Sequence, residues 1–302
     1  MKAMIFAAGL GTRLKPLTDT MPKALVNICG QPLLYHVLSK LTAAGYDDLV
    51  VNVHHFPDQI IDYLRGLETV GIRIRVSDER DFLRETGGGI RHAREYLLDD
   101  WCSVPFPNRR FATPSINRPL PFKEPEAAQA PEGGTATGNE PFLVHNVDIV
   151  SNLDLGWFRS RHRKEALATL AVSERPTQRY FLFDEDGRLK GWTNLATGEV
   201  RSPFPDLDPS KCRRLAFAGI HLISPAVFEA FDHLGFGERF SITDFYLKAC
   251  AEYPVYAAVP PDFTMVDVGK FDRLPEAEAV CRRLLPRVCQ DNPPGLRSPT
   301  KK

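Results

Sequence analysis

The run Lys2 to Ala8 is apolar almost throughout, with no alternation of polar and apolar positions. A strand of that texture is buried on both faces, so the chain must supply helices above and below it. Leu33 to Ala44 has the apolar spacing of a helix and stops at Gly45, and Asp48 to His54 is a second buried strand. Pro57 to Leu64 adds another helix and Ile72 to Ser77 a third strand. This β-α-β-α-β alternation predicts an α/β fold, a Rossmann-like, mostly parallel mixed sheet with helices on both faces. Sheets of that kind take ligands at the carboxyl ends of their strands.

At the end of the first strand stands Ala7-Ala8-Gly9-Leu10-Gly11-Thr12-Arg13-Leu14-Lys15-Pro16-Leu17-Thr18, closed by Pro22-Lys23-Ala24-Leu25. Glycines without Cβ atoms let backbone N–H groups approach an anion, and Arg13 and Lys23 add positive charge. A dinucleotide fingerprint would need a third small residue where Leu14 stands, and a P-loop would need Gly-Lys-Ser/Thr after four intervening residues. What is present, G-x-G-T-R-L-x-P-L-T followed by P-K-A-L, resembles the N-terminal signature of the sugar-phosphate nucleotidyltransferases. The resemblance covers residues 1–98 and 141–285. It implies the glycosyltransferase-A-like form of the fold, with Ala7, Ala8, Gly9, Gly11, Thr12, Arg13 and Lys23 around a nucleoside triphosphate.

The bulk composition is that of a globular protein. Of 302 residues, 43% are hydrophobic and 25% charged. Lys+Arg and Asp+Glu are equal at 38 each, so no global field draws nucleic acid and any anion site must be local. No segment approaches the roughly 20 apolar residues of a membrane helix. Gly9, Gly11, Arg13 and Lys15 interrupt the N-terminal apolar stretch too early for a signal peptide. Cys29, Cys102, Cys212, Cys250, Cys281 and Cys289 show no C-x-x-C or metal-finger spacing, so reduced thiols in a cytoplasmic compartment are expected. A homo-oligomer is compatible with the sequence.

Downstream, Glu85-Thr86-Gly87-Gly88-Gly89-Ile90 opens a helix reaching about Leu98. Consecutive glycines there cost conformational entropy, which a close backbone approach would justify. The resemblance places Gly87 and Gly88 against the base and ribose. Residues 101–140, dense in Pro and Gly, read as an irregular insertion into a single domain of residues 1–290, and 291–302 as a disordered tail. Further strands are expected at 141–150, 166–173, 180–184, 189–192, 215–223 and 254–259, with helices at 155–164, 225–232, 243–252 and 274–285. No repeat region follows, so an appended acyltransferase domain is not expected.

Leu143-Val144-His145-Asn146-Val147-Asp148-Ile149 is an apolar strand closing on a carboxylate, and Met265-Val266-Asp267-Val268-Gly269-Lys270 has the same form. Charge in such a place needs a partner or a metal. Relatives carry N-V-D at the first site and W-x-D-x-G-T at the second, which implies that Asp148 and Asp267 share one Mg²⁺; Lys270 stands where threonine is usual. Arg13, Lys23 and Asp148 are then the catalytic set. A sugar 1-phosphate attacking the α-phosphorus is already largely ionised at pH 7, so the reaction needs no general base, only cations that position two anions. The resemblance gives Gly219 a place against the sugar, and Asn194 is a candidate polar contact. Arg179-Tyr180-Phe181 and Gly191-Trp192-Thr193-Asn194 depart from the Phe-Gly and Glu-Lys-Pro usual there, which leaves the sugar open. His54-His55 resembles the subgroup of N-acetylmuramate 1-phosphate uridylyltransferases and mannose-1-phosphate guanylyltransferases, which serves cell-envelope carbohydrate. Two alternatives stay open: a cytidylyltransferase for phosphocholine or a similar alcohol phosphate, and a silent nucleotide-binding regulatory subunit.

Overall fold

The computed structural model describes residues 1–99, 140–269, 271 and 274–284, and the backbone of 296–297. The insertion at 101–140, apart from Glu140, the tail at 291–302, apart from 296–297, and Lys270 lie outside the described residues.

The first strand, β1 (Lys2–Phe6), is followed by a small hairpin, β2 (Asn27–Ile28) and β3 (Gln31–Pro32), and by α1 (Leu33–Ala43). Next come β4 (Asp48–Val53), α2 (Pro57–Gly66), β5 (Glu68–Thr69) and β6 (Arg73–Asp78). The glycine-rich helix is α3 (Glu85–His92), and a break at Ala93 separates it from α4 (Arg94–Leu98), so the helix expected to run through to Leu98 is two. Likewise the strand expected at 141–150 is two, β7 (Phe142–Asn146) and β8 (Ile149–Ser151), with Asp148 in the turn between them.

The second half contains α5 (Leu155–Ser160), β9 (Ala168–Ser173), β10 (Arg179–Phe183), β11 (Leu189–Asn194), β12 (Glu199–Arg201) and β13 (Arg213–Ile223). It ends with α6 (Val227–His233), α7 (Ile242–Ala249), β14 (Val255–Ala258), β15 (Met265–Asp267), α8 (Leu274–Leu284) and β16 (Leu296–Arg297), which pairs with β5. The exposed strand β12 has no apolar alternation and was not anticipated.

Ten strands form one sheet, in the order β12-β11-β10-β13-β7-β1-β4-β6, with β9 also on β13 and β14 on β9. β1 runs parallel to β4 and β7, and β4 parallel to β6. β13 is antiparallel to β7, and β9 is antiparallel to β13, so β9 points the same way as β7. The carboxyl ends of β1, β4, β6, β7 and β9 therefore share one edge. Both faces of the sheet are covered, as the unalternating β1 requires: Ala3 and Ile5 enter one core cluster with Leu34, Leu38 and Ile60, while Met4 enters another with Ile90, Phe228 and Phe245. No helix among the described residues is long and apolar enough to cross a membrane.

The interior also holds two uncharged histidines. Burial pushes His145 down to about 4, assisted by the Lys40 ammonium and opposed by its bond to the Asn146 carbonyl and by Asp148. Burial pushes His221 down to about 3, and its Nδ1 meets the Tyr246 hydroxyl at 2.6 Å. An unfolded histidine titrates near 6.5, so below that pH the unfolded chain takes protons that the folded one refuses. Stability present above pH 6.5 is lost as the pH falls toward 4, by about 1.4 kcal/mol per pH unit for each group. Because an unfolded histidine is already half protonated at pH 6.5, urea unfolding at pH 6.5 and 5.5 should differ by about 2 kcal/mol from this pair, and His221→Gln should roughly halve that difference.

Candidate active site

The loop after β1 is held from below by a neighbouring strand. The amides of Ala7 and Ala8 donate, at 2.8 and 3.3 Å, to Oδ1 of Asn52, near the carboxyl end of β4. Those two N–H groups are thus already used within the chain. Among the described residues no hydrogen bond takes the amides of Gly9 to Thr12. Gly11 is left-handed, at φ 65°, and a Cβ there would lie 2.8 Å from Thr18 Cγ2. Its carbonyl accepts from Thr18 Oγ1 at 2.8 Å. Gly9, by contrast, has open space around it, so Gly11 is the position where the turn itself demands glycine. Thr12 and Arg13 lie in an exposed 3-10 turn, and the Arg13 guanidinium has no ion pair among the described residues.

The two aspartates meet through a short ladder. β15 pairs antiparallel with β8, setting Asp267 opposite Ile149, and the Val268 amide donates to the Asp148 carbonyl at 2.9 Å. Asp148 also forms an ion pair with Lys23, whose side chain is only 10% exposed. Burial raises the Asp267 carboxyl above the usual carboxylate range, and the Asp148 charge adds to this, while Lys23, Arg13 and Arg175 oppose it. Two carboxylates of like charge, one of them shifted by the other, form a donor set that a divalent cation would relieve. No group of three His, Cys, Asp or Glu suited to a metal occurs among the described residues.

The loop, Arg13, Lys23, Asp148 and Asp267 thus converge at one sheet edge. Residues 2–106 match the Nucleotidyl transferase family. Over 97 residues the chain is 53% identical to an N-acetylmuramate alpha-1-phosphate uridylyltransferase of Caulobacter vibrioides, covering 32% of this chain and 40% of that one. Over 274 residues it is 27% identical to mannose-1-phosphate guanylyltransferase 1 of Arabidopsis thaliana, covering 89% and 62%. It spans less than two thirds of the length of either. The fold is also that of HddC from Yersinia pseudotuberculosis complexed with GMP-PN, with a TM-score of 0.62 at 19% identity, covering 92% of this chain and 98% of that one.

The nucleotidyl transferase match contains the glycine loop, Arg13 and Lys23, while Asp148 and Asp267 lie beyond it and join the site through the fold. Gly87 and Gly88 are buried in α3, where their amides donate to the Phe240 carbonyl at 2.9 and 3.2 Å. A Cβ on either would strike Phe240 or the Glu238 backbone, so the chain's own packing accounts for their lack of side chains. Gly219 is left-handed in a bulge of β13, and a Cβ there would lie 2.6 Å from Asn146 Nδ2, beside the turn that bears Asp148. Asn194 ends β11 and accepts from the Ala196 amide at 3.1 Å, closing its own hairpin. His54 and His55 reach the Glu79 and Thr18 carbonyls, at 2.7 and 3.4 Å.

The sequence reading missed Asn52, Glu79 and Arg175. Asn52 is 2% exposed, and besides holding Ala7 and Ala8 it donates to Glu79 Oε1 at 2.8 Å. Glu79, fully buried, accepts from the Arg84 amide at 3.3 Å ahead of α3, and burial raises its carboxyl above the usual range. One amide side chain thereby ties the loop to the glycine-rich helix. Its signal was a polar residue inside the apolar run Leu49 to Val53. Asn52→Leu takes the partner from the amides of Ala7 and Ala8 and from Glu79 Oε1, which should cost about 1–3 kcal/mol in urea unfolding and speed amide exchange at Ala7 and Ala8.

Proposed function

We propose that this protein is a nucleotidyltransferase that joins a nucleoside triphosphate to a sugar 1-phosphate, releasing pyrophosphate. The observation that supports this most directly is the convergence at one edge of the sheet of loop amides and an Arg13 guanidinium that no partner among the described residues takes, the Lys23–Asp148 pair and Asp267. The resemblance to the uridylyltransferase makes UTP with N-acetylmuramate 1-phosphate the first pair to test, and the guanylyltransferase makes GTP with mannose 1-phosphate the second.

The attacking phosphate carries its nucleophilic charge already, having a second pKa near 6, so no side chain need remove a proton. The barrier lies in bringing two anions together and in the charge that develops on the departing pyrophosphate. Gly9 to Thr12 offer amides to the triphosphate, and the planar fork of Arg13 suits its β- and γ-phosphates. Lys23 lies beside Asp148, and its ammonium would serve the α-phosphate and the incoming phosphate. Asp148 and Asp267 would hold Mg²⁺, which would supply positive charge to offset that of the phosphates.

Pyrophosphate release, measured over a grid of nucleoside triphosphates against sugar 1-phosphates and phosphocholine, tests the reading. Turnover with a sugar 1-phosphate is expected. Turnover with phosphocholine alone would point instead to the alcohol-phosphate reaction, and nucleotide binding without release from any pair to a regulatory subunit. Lys23→Ala and Asp148→Asn should each lower turnover by about 10²–10³-fold while circular dichroism shows a folded chain. Near-normal activity in either would sink its assignment.

A further inference from the structure

Arg175 is a cation of this edge to which the reaction as described gives no task. It lies two residues beyond β9, partly buried, within electrostatic reach of Asp267. Its Nη2 donates to the Phe217 carbonyl at 3.2 Å, and its Nε is enclosed with no hydrogen-bond partner among the described residues. Among the described residues no carboxylate stands at ion-pair distance from it. A guanidinium drawn partly out of water, and met among the described residues only by a neutral carbonyl, has lost hydration that those residues do not replace. An arriving anion would restore it.

The topology indicates which anion. β7 lies between β1 and β13 in the sheet, and β9 pairs with β13. Because β9 points the same way as β7, Arg175 leaves the sheet at the edge where Asp148 stands. The glycine loop is on the β1 side of Asp148 and Arg175 on the β13 side. The anchoring carbonyl, that of Phe217, is two residues from Gly219, which packs on Asn146 beside the Asp148 turn. A triphosphate held by the loop therefore leaves the Arg175 side to a second anion.

We propose that Arg175 binds the phosphate of the second substrate, the monoester whose oxygen attacks. The inference rests on the nucleotidyl-transfer reading. In that step an oxygen of the monoester forms a bond to the α-phosphorus, while the bond from the α-phosphorus to the bridging oxygen breaks and its electron pair leaves on pyrophosphate. Arg175 offsets the repulsion between the two anions and fixes the line of approach, a task that suits a planar fork better than an ammonium.

The test is Arg175→Gln, with Arg175→Lys as a milder variant should the first fold poorly. Steady-state kinetics with the pair that the wild type turns over best should show KM for the sugar 1-phosphate raised about 10–100-fold in Arg175→Gln and several-fold in Arg175→Lys. KM for the triphosphate and the thermal midpoint should stay near wild type. An unchanged monoester KM, or an equal rise in both KM values, would overturn the assignment. Wild-type turnover with an unaltered split in the variants sinks only Arg175, whereas a wild type that releases pyrophosphate from no pair sinks the reaction itself. In that second case calorimetric titration with inorganic phosphate still decides, since equal affinity in wild type and Arg175→Gln would refute a phosphate contact.

Discussion

The ladder between β8 and β15 forces two carboxylates together, and the rest of this edge is arranged around that constraint. Asp267 is shifted upward by burial and by Asp148, and such proximity of like charges is unfavourable unless cations answer it. Lys23 answers Asp148 directly, and Arg13 and Arg175 act on Asp267 from a greater distance. Three cations and two carboxylates leave this local group net positive, although the whole chain has equal numbers of acidic and basic residues. An anion-binding site can thus exist in a protein with no overall basic field.

The glycine loop is useful only if it is held in one conformation. Asn52 supplies that by using both ends of its amide, accepting from Ala7 and Ala8 and donating to the buried Glu79. The amides of Gly9 to Thr12 stay unpaired within the described chain while the two preceding amides are tied down. Under the proposed reading, a phosphate bound there would not require the loop to be ordered afresh, which is where much of the entropic cost of recognition otherwise falls.

Much of this was legible in advance, for reasons that differ by residue. The strand at 2–6 and the helix at 33–43 follow from local texture, since burial on two faces or on one stripe leaves a periodic trace. Arg13 and Lys23 could be named as candidates because their spacing from the glycines lies within one short loop. Arg175 leaves no such trace: it is one arginine among many in an irregular segment, and its meaning comes from strands β7, β9 and β13, distant in sequence. Gly87 and Gly88 were legible as glycines that something must approach, but not the approaching group, which in this chain includes Phe240 and Glu238.

The sequence by itself determined the layered α/β architecture, the phosphate-suited loop and the presence of two candidate metal-binding aspartates. These are properties of contiguous residues, written in hydrophobic period and in short-range spacing. Only the tertiary structure decided that Asp148 and Asp267 are neighbours, that Asn52 braces the loop, and that Arg175 faces the same edge. Each of these depends on strand order and register, and pairing between segments far apart in the chain leaves no local periodicity to read.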